Sequence, residues 1–293
     1  MLQLFANALI AGSLAALIAG GLALVYGTLG VFNLALGQMV LVGGYATWWL
    51  YQIAGLSLVI SIFGGLAAGA LVSWFAFEVF IRPFYKLHRF LPLVTTIALS
   101  MMLDGCILLA FGERPKGILP GAKQMMEVAG ARISVEQLIM ITITVLGLVC
   151  FAHVLHATAI GRRIRAVVQH DHAAMSLGIP ALTLHRIVFI LSGVLAACGG
   201  IYMGIDTTLT PTIAFSITIK AYAAIIAGGK GNFWGAIFCA YLIALLEQLL
   251  VGVHWFGTFY VPAGYQQTVA LLFIIVLLVV KPSGLFTSTS RTA

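Results

Sequence analysis

Runs of about twenty residues with almost no charge recur along this chain, and each is long enough to cross a hydrocarbon core of about 30 Å. They fall at 4–26, 32–52, 56–80, 91–112, 136–156, 186–205, 216–229, 233–252 and 265–281. In lipid, backbone polar groups must be satisfied internally, so such runs become helices. A membrane β-barrel would need short alternating segments, which are absent. Only 8% of the 293 residues are charged and 62% are hydrophobic, whereas a soluble domain carries about a quarter charged residues. The expected fold is therefore all-α: a polytopic helical membrane protein with about eight to ten transmembrane helices, forming a single domain over 1–293. Short or broken segments are expected near 27–33 and 228–232, where glycines interrupt the apolar pattern. The N-terminus lacks a basic region, so the first run reads as a retained span and not a cleaved signal.

Basic residues set the expected sides. RPFYKLHR at 82–89 holds three Lys/Arg, and the region 157–186 holds four more. Two clear spans lie between them, so both loops share a side, which the positive-inside rule makes cytoplasmic. Lys281 and Arg291 suit a cytoplasmic C-terminus. The loop at 113–135 mixes basic residues with Glu113 and Glu127 and is placed outside. The net charge of +7 thus reads as membrane topology, with no nucleic-acid partner.

Residues 161–180, GRRIRAVVQHDHAAMSLGIP, stand apart from the apolar text around them. At helical spacing, Ile164, Val168 and Met175 share one face and Arg165, Gln169, His172 and Ser176 another. The pattern predicts one amphipathic helix over 162–178, ended by Gly178 and Pro180. Packing on its own protein, lying on lipid, and docking to a soluble partner are the competing uses. Asp171 in the apolar stripe argues against lipid, and the small residues suit insertion into a partner's groove.

Small residues recur every fourth position at Ser192, Ala196, Gly200 and Gly204, and again at Ala223, Ala227, Gly231 and Gly235, as close helix packing requires. The four cysteines lie in apolar runs and read as small buried hydrophobes, without disulfide or metal. His153 and His156 lack an acid or cysteine nearby, so no metal site is expected.

Four stretches together resemble the permease subunits of branched-chain amino acid importers of the ATP-binding-cassette type. They are GLALVYGTLGVFNLALGQMVLVGGYA (21–46), RAVVQHDHAAMSLGI (165–179), TIKAYAAIIAGGKGNFWGAIFCAYLIALLE (218–247) and KPSGLF (281–286). One departure is Ala35-Leu36-Gly37-Gln38, where family members often carry Ala-His-Gly-Glu. The resemblance implies a transport subunit, not an enzyme, in the inner membrane of a bacterium. Its implied partners are a homologous or identical second permease, two ATPase subunits and an extracytoplasmic solute-binding protein. The chain would hold no cofactor itself; ATP and Mg would belong to the ATPases, and a GxxxxGK phosphate loop followed by Ser or Thr is absent here. The cytoplasmic coupling loop would span about 157–185, with Arg165, Ala166, Asp171, Ala174, Gly178 and Ile179 contacting the ATPase.

Asn33, Gln38, Asp104 and Asn232 are the candidates for lining the solute pathway, the two asparagines because each follows a Gly-rich break. Asp206 and Lys220 are read as outer-edge groups that snorkel or pair, and Glu247 as meeting water. A stand-alone ion-coupled carrier of small polar solutes is the alternative, for which Asp104 would be essential; a driven permease is expected to tolerate Asp104→Asn. A urea or amide permease of the same family is a further alternative.

Overall fold

The computed structural model describes residues 2–85, 90–119, 121, 125–128, 130–169, 171–229, 231–252, 266–281 and 284–286. Helices follow the apolar runs: α1 (Leu2–Leu29), α2 (Leu36–Trp48), α3 (Leu58–Ala76), α4 (Leu91–Phe111), α5 (Val135–Ala157), α6 (Ala159–Gln169), α7 (Asp171–Ser176), α8 (Ala181–Asp206), α9 (Ala214–Gly228), α10 (Phe233–Gly252) and α11 (Gln266–Val280). Both α2 and α3 end in a π-helical turn, Trp49–Ile53 and Phe77–Ile81. Among the described residues, seven helices are long and apolar enough to cross a membrane.

Two ends of the bundle can be told apart by their contacts. At one end, Arg82 and Arg186 meet Glu78, Leu285 N–H donates to Ala227 C=O, and α6 lies near the last turns of α1 and α5. At the opposite end, Gln3 donates to Arg132 C=O, Gln137 to Asp206, and Gln52 to Ile118 C=O. Arg82, α6 and the start of α8 therefore lie at one end, called the basic end here, and α1 starts at the other.

Helices α1 and α8 form the enclosed centre, while α3, α4 and α5 leave most of their surface open. The small-residue pattern of α8 is what lets it sit there. Its Gly200 lies against the Val40 carbonyl, Ala197 against Gly43 and Gly69, and Ser192 against Gly21. In lipid no hydrophobic drive joins helices, so backbone proximity and dispersion carry the association.

Several expectations need correction. The span expected at 32–52 starts as a helix only at Leu36, and the piece expected at 216–229 runs Ala214–Gly228. The break at 30–35 lies inside the bundle. Gly37 N–H donates to Thr218 Oγ1 (3.0 Å), so α2 and α9 begin side by side. With 15 residues, α9 spans about 22 Å against about 39 Å for the 26 residues of α8. The second interior break is therefore 207–213, which leads from the end of α8 into α9. The break expected at 228–232 falls between the end of α9 at Gly228 and the start of α10 at Phe233, and it lies at the basic end, not in the interior. Within the expected 162–178 helix, the described residues are helical over Ala159–Gln169 and Asp171–Ser176, and a turn at Leu177 and Gly178 ends the run before Pro180. The loop at 113–135 adds a small antiparallel hairpin, Met125–Val128 with Ala131–Ser134. Cys106 and Cys150 are exposed, not buried; the apolar run told their setting but not which side of the helix they take.

Candidate functional site: the coupling face and the mid-membrane polar band

Helix α6 is strongly amphipathic because arginines at 162, 163 and 165 alternate with Gly161, Ile164 and Val167, which are buried. Beneath it is a cavity of about 520 Å³, bounded by Leu24, Gly27, His156, Arg165, Asn232 and Phe286. The two Gly-rich turns meet here, for a Cβ on Gly27 would stand 3.2 Å from Gly231 Cα. Arg165 turns back into the protein. Its guanidinium donates to the carbonyls of Leu155 and, at 3.3 Å, His156, capping the C-terminus of α5. Cations at a helix C-terminus offset its partial negative charge.

The remaining coupling candidates divide. Ala174 is buried, and its carbonyl accepts from Ile179 N–H at 3.1 Å. Ile179 packs against the core and Ala166 is half-buried. Asp171 lies in α7, and its side chain lies outside the described set. Gly178 is exposed with φ +78°, the left-handed conformation that glycine adopts without strain, and the space beside it is open. The outward apolar surface is made by Ile160, Val168, Met175 and, at 81% exposure, Leu177. The helical wheel over 162–178 missed Ile160, which precedes it, and Leu177, which lies in the turn after α7.

Both asparagines serve as turn and helix caps. Asn33 is enclosed, and its Oδ1 accepts from Ala35 N–H at 3.1 Å ahead of α2. Asn232 Oδ1 accepts from Gly235 N–H at 3.1 Å, and its Nδ2 donates to Phe286 C=O at 2.9 Å. This places Asn232 at the basic end. Gln38 and Asp104 do come together: the Gln38 amide nitrogen donates to Asp104 Oδ1 and Oδ2 at 3.3 and 3.2 Å. Thr96 links the interior break to α4, accepting from Leu34 N–H and donating to Phe32 C=O, each at 3.3 Å.

Sequence reasoning misplaced one pair. Lys220 is bonded to Glu247 at 2.8 and 3.0 Å, and Glu247 is buried. Asp206 instead accepts from Gln137 at 2.7 Å. The pair lies on a cavity of about 460 Å³ between α1, α8, α9 and α10. Facing charges on α9 and α10 are 27 residues apart, which single-helix spacing does not reveal.

A multi-span helical bundle with interior breaks, polar groups at mid-depth and an amphipathic helix pair at its basic end defines a membrane permease. The chain matches the family model described as branched-chain amino acid transport system / permease component over residues 4–280, and it belongs to that family. It is 29% identical to the high-affinity branched-chain amino acid transport system permease protein BraD of Pseudomonas aeruginosa, covering 97% of this chain and 95% of the relative. It is 26% identical to the corresponding LivH of Escherichia coli, over 97% and 94%. It is also 27% identical to the autoinducer 2 import system permease protein LsrC of an Enterobacter strain, over 77% and 64%. In fold it is similar to a chain of the PsaBC structure from Streptococcus pneumoniae, with a TM-score of 0.50, 15% identity, and 94% and 91% coverage. The chain is thus a transport subunit and not an enzyme, and a multi-pass protein of the bacterial inner membrane.

Proposed function

We propose that this chain is one of two permease subunits in an ATP-driven importer of branched-chain or similar small amino acids. Two ATPase subunits and an extracytoplasmic binding protein complete the complex. The reading is supported by the family membership and by the names of BraD and LivH.

One structural observation carries the mechanism: Val168 on α6, Met175 on α7 and Leu177 in the turn that follows are exposed apolar side chains at the basic end. A surface of this kind suits a protein groove. The basic end, with 82–89, 157–185 and the C-terminus, is then cytoplasmic. ATP binding draws the ATPases together and moves α6 and α7. Arg165 passes that movement to the end of α5 through the Leu155 and His156 carbonyls. Glu78 and Arg186 link the start of α8 to the end of α3. A ligand shifts such an equilibrium only by its differential affinity for the two states.

The test is co-purification of the complex expressed from its native gene neighbourhood. Wild type is expected to bring ATPase subunits with it, and Leu177→Glu is expected to lose them. Leu177 is the better probe than Gly178, because a bulky residue at φ +78° also strains the backbone. Uptake by the lone chain down an ion gradient, with no ATPase bound, would sink the reading in favour of a secondary carrier.

A further inference from the structure

Asp104 lies at mid-length of α4, far from both membrane faces. It is 13 residues from the start of α4 and 7 from its end, or about 20 and 10 Å along the axis. Its face of the helix is open: Met101 is 71% exposed, Leu108 41%, and Asp104 itself is only partly covered. A carboxylate at that depth against hydrocarbon is costly, and such groups face water or protein instead. No Lys or Arg among the described residues forms an ion pair with Asp104. Among the described residues, its hydrogen-bond donor is the neutral amide of Gln38.

Gln38 supplies the second observation. It is 98% buried, at 2% exposure, and its Oε1 has no hydrogen-bond partner among the described residues. A carboxylate only accepts, so the amide must turn its NH₂ to Asp104 and its oxygen elsewhere. An enclosed carbonyl oxygen with nothing to accept from is expensive. Two carboxylate oxygens and one spare amide oxygen thus stand together at mid-membrane, short of N–H donors and short of positive charge. A primary ammonium offers three donors and the missing charge.

We infer that Asp104 and Gln38 form an ammonium subsite for the solute, on the face of α4 that lines the transport route. The inference rests on the permease reading above and deepens it. A zwitterionic amino acid presents its amine to Asp104 while crossing, and a neutral amide or urea lacks that group. The face of α4 then meets water and the second permease, not lipid. Asp104→Asn, which the sequence alone has as tolerated in a driven permease, becomes damaging.

The experiment uses the whole complex in proteoliposomes with its binding protein, following ATP-driven uptake of a labelled branched-chain amino acid. Asp104→Asn keeps an acceptor for Gln38 and removes only the charge. It is expected to lower uptake by about tenfold or more, the worth of one charge-assisted hydrogen bond. The ATPases are expected to co-purify in normal amount and to hydrolyse ATP when the binding protein is added. Asp104→Glu is expected to recover part of the uptake. Uptake by Asp104→Asn within about twofold of wild type overturns the subsite, and so does failure of both variants to assemble, which makes Asp104 a structural anchor.

A second measurement does not depend on uptake. With Cys106 and Cys150 replaced by serine, Met101→Cys sits one turn from Asp104. A thiol reagent carrying an ammonium is expected to label it faster than one carrying a sulfonate, and Asp104→Asn is expected to erase that preference. Reaction with neither reagent means the face meets lipid and overturns the inference; equal rates with both remove the charge selectivity and do the same. Absence of any ATP-driven uptake by the wild type is a different failure, and it strikes the permease reading itself.

Discussion

Arg186 Nε on α8 stands 2.5 Å from Glu78 Oε1 in the π-helical turn that ends α3, and Arg82 holds the other Glu78 oxygen at 2.6 Å. One carboxylate thereby joins the α3–α4 loop to the helix that follows α7. Glu78 is the better buried member, with 18% of its side chain exposed against 32% for Arg186. Pairs of this intermediate exposure fall between weak surface bridges and buried ones. Glu78→Gln is expected to cost about 2 kcal/mol, read as a lower unfolding temperature in detergent. The double variant Glu78→Gln/Arg186→Gln is expected to be less damaging than the sum of its parts, since each single change already breaks the pair. Additive losses would show that the two residues act separately.

Lys220 and Glu247 test the opposite case, a pair enclosed within the bundle. Breaking a buried pair leaves a lone charge and costs about 3–5 kcal/mol, whereas replacing both partners by apolar groups is often neutral. Lys220 keeps 31% of its side chain exposed toward the cavity, which favours the lower end of that range for Glu247→Gln. Lys220→Met leaves the more buried carboxylate alone and is expected to be the worse single change. Lys220→Met/Glu247→Leu is expected to recover most of the stability. Thermal unfolding of the four proteins decides this, and a double variant no better than Lys220→Met would assign the pair a role other than mutual neutralisation.

The contact between α2 and α8 is tightly packed. A Cβ on Gly200 would run into the Val40 carbonyl and crowd Gly44 N. Neither is a flexible side-chain tip that could yield. Overpacking of a fitted interior typically costs about 1–3 kcal/mol, so Gly200→Ala is expected at the low end of that range and Gly200→Val at or beyond the high end. Gly105, on the open face of α4, has nothing within 4 Å of an added Cβ. Gly105→Ala is expected to leave the unfolding temperature nearly unchanged, or to raise it slightly through helix propensity. Equal effects at positions 200 and 105 would contradict the packing described here.

These cases mark what could be read from the chain alone. Long apolar runs name their own helices, because lipid leaves the backbone no other choice. Gly200 and Gly204 announced close packing through their spacing. The start of α2 at Leu36 was hidden, because the interior segment 30–35 is as apolar as the helix it interrupts. Leu177 was hidden for another reason: it lies in the turn that ends α7, where helical spacing no longer says which way a side chain faces. The meeting of Gln38 with Asp104, 66 residues apart, depends on tertiary packing, and so does the pairing of Lys220 with Glu247. Sequence flagged each of these four as polar groups within apolar surroundings but could not join them.

Asn232 makes two hydrogen bonds with different atoms, so two substitutions can separate them. Its Oδ1 caps α10 by accepting from Gly235 N–H, and its Nδ2 holds the C-terminal strap by donating to Phe286 C=O. The strap is tied a second way, since Leu285 N–H and Phe286 N–H donate to the Ala227 and Gly228 carbonyls at 2.8 and 3.2 Å. Gly284, at φ +85°, lets the strap close on Gly229. Asn232→Ala removes both side-chain bonds and is expected to cost about 1–2 kcal/mol, the usual loss for a helix cap. Asn232→Asp keeps the cap, and its charge suits a helix N-terminus, but it sets a carboxylate against the Phe286 carbonyl. It is expected to hold α10 at nearly wild-type stability while loosening the strap. Hydrogen exchange separates the two effects: faster exchange at Leu285 and Phe286 in both variants, and at Gly235 in Asn232→Ala alone. Unchanged exchange at Leu285 and Phe286 in Asn232→Asp would mean that the backbone bonds to Ala227 and Gly228 hold the strap without help from the Asn232 amide.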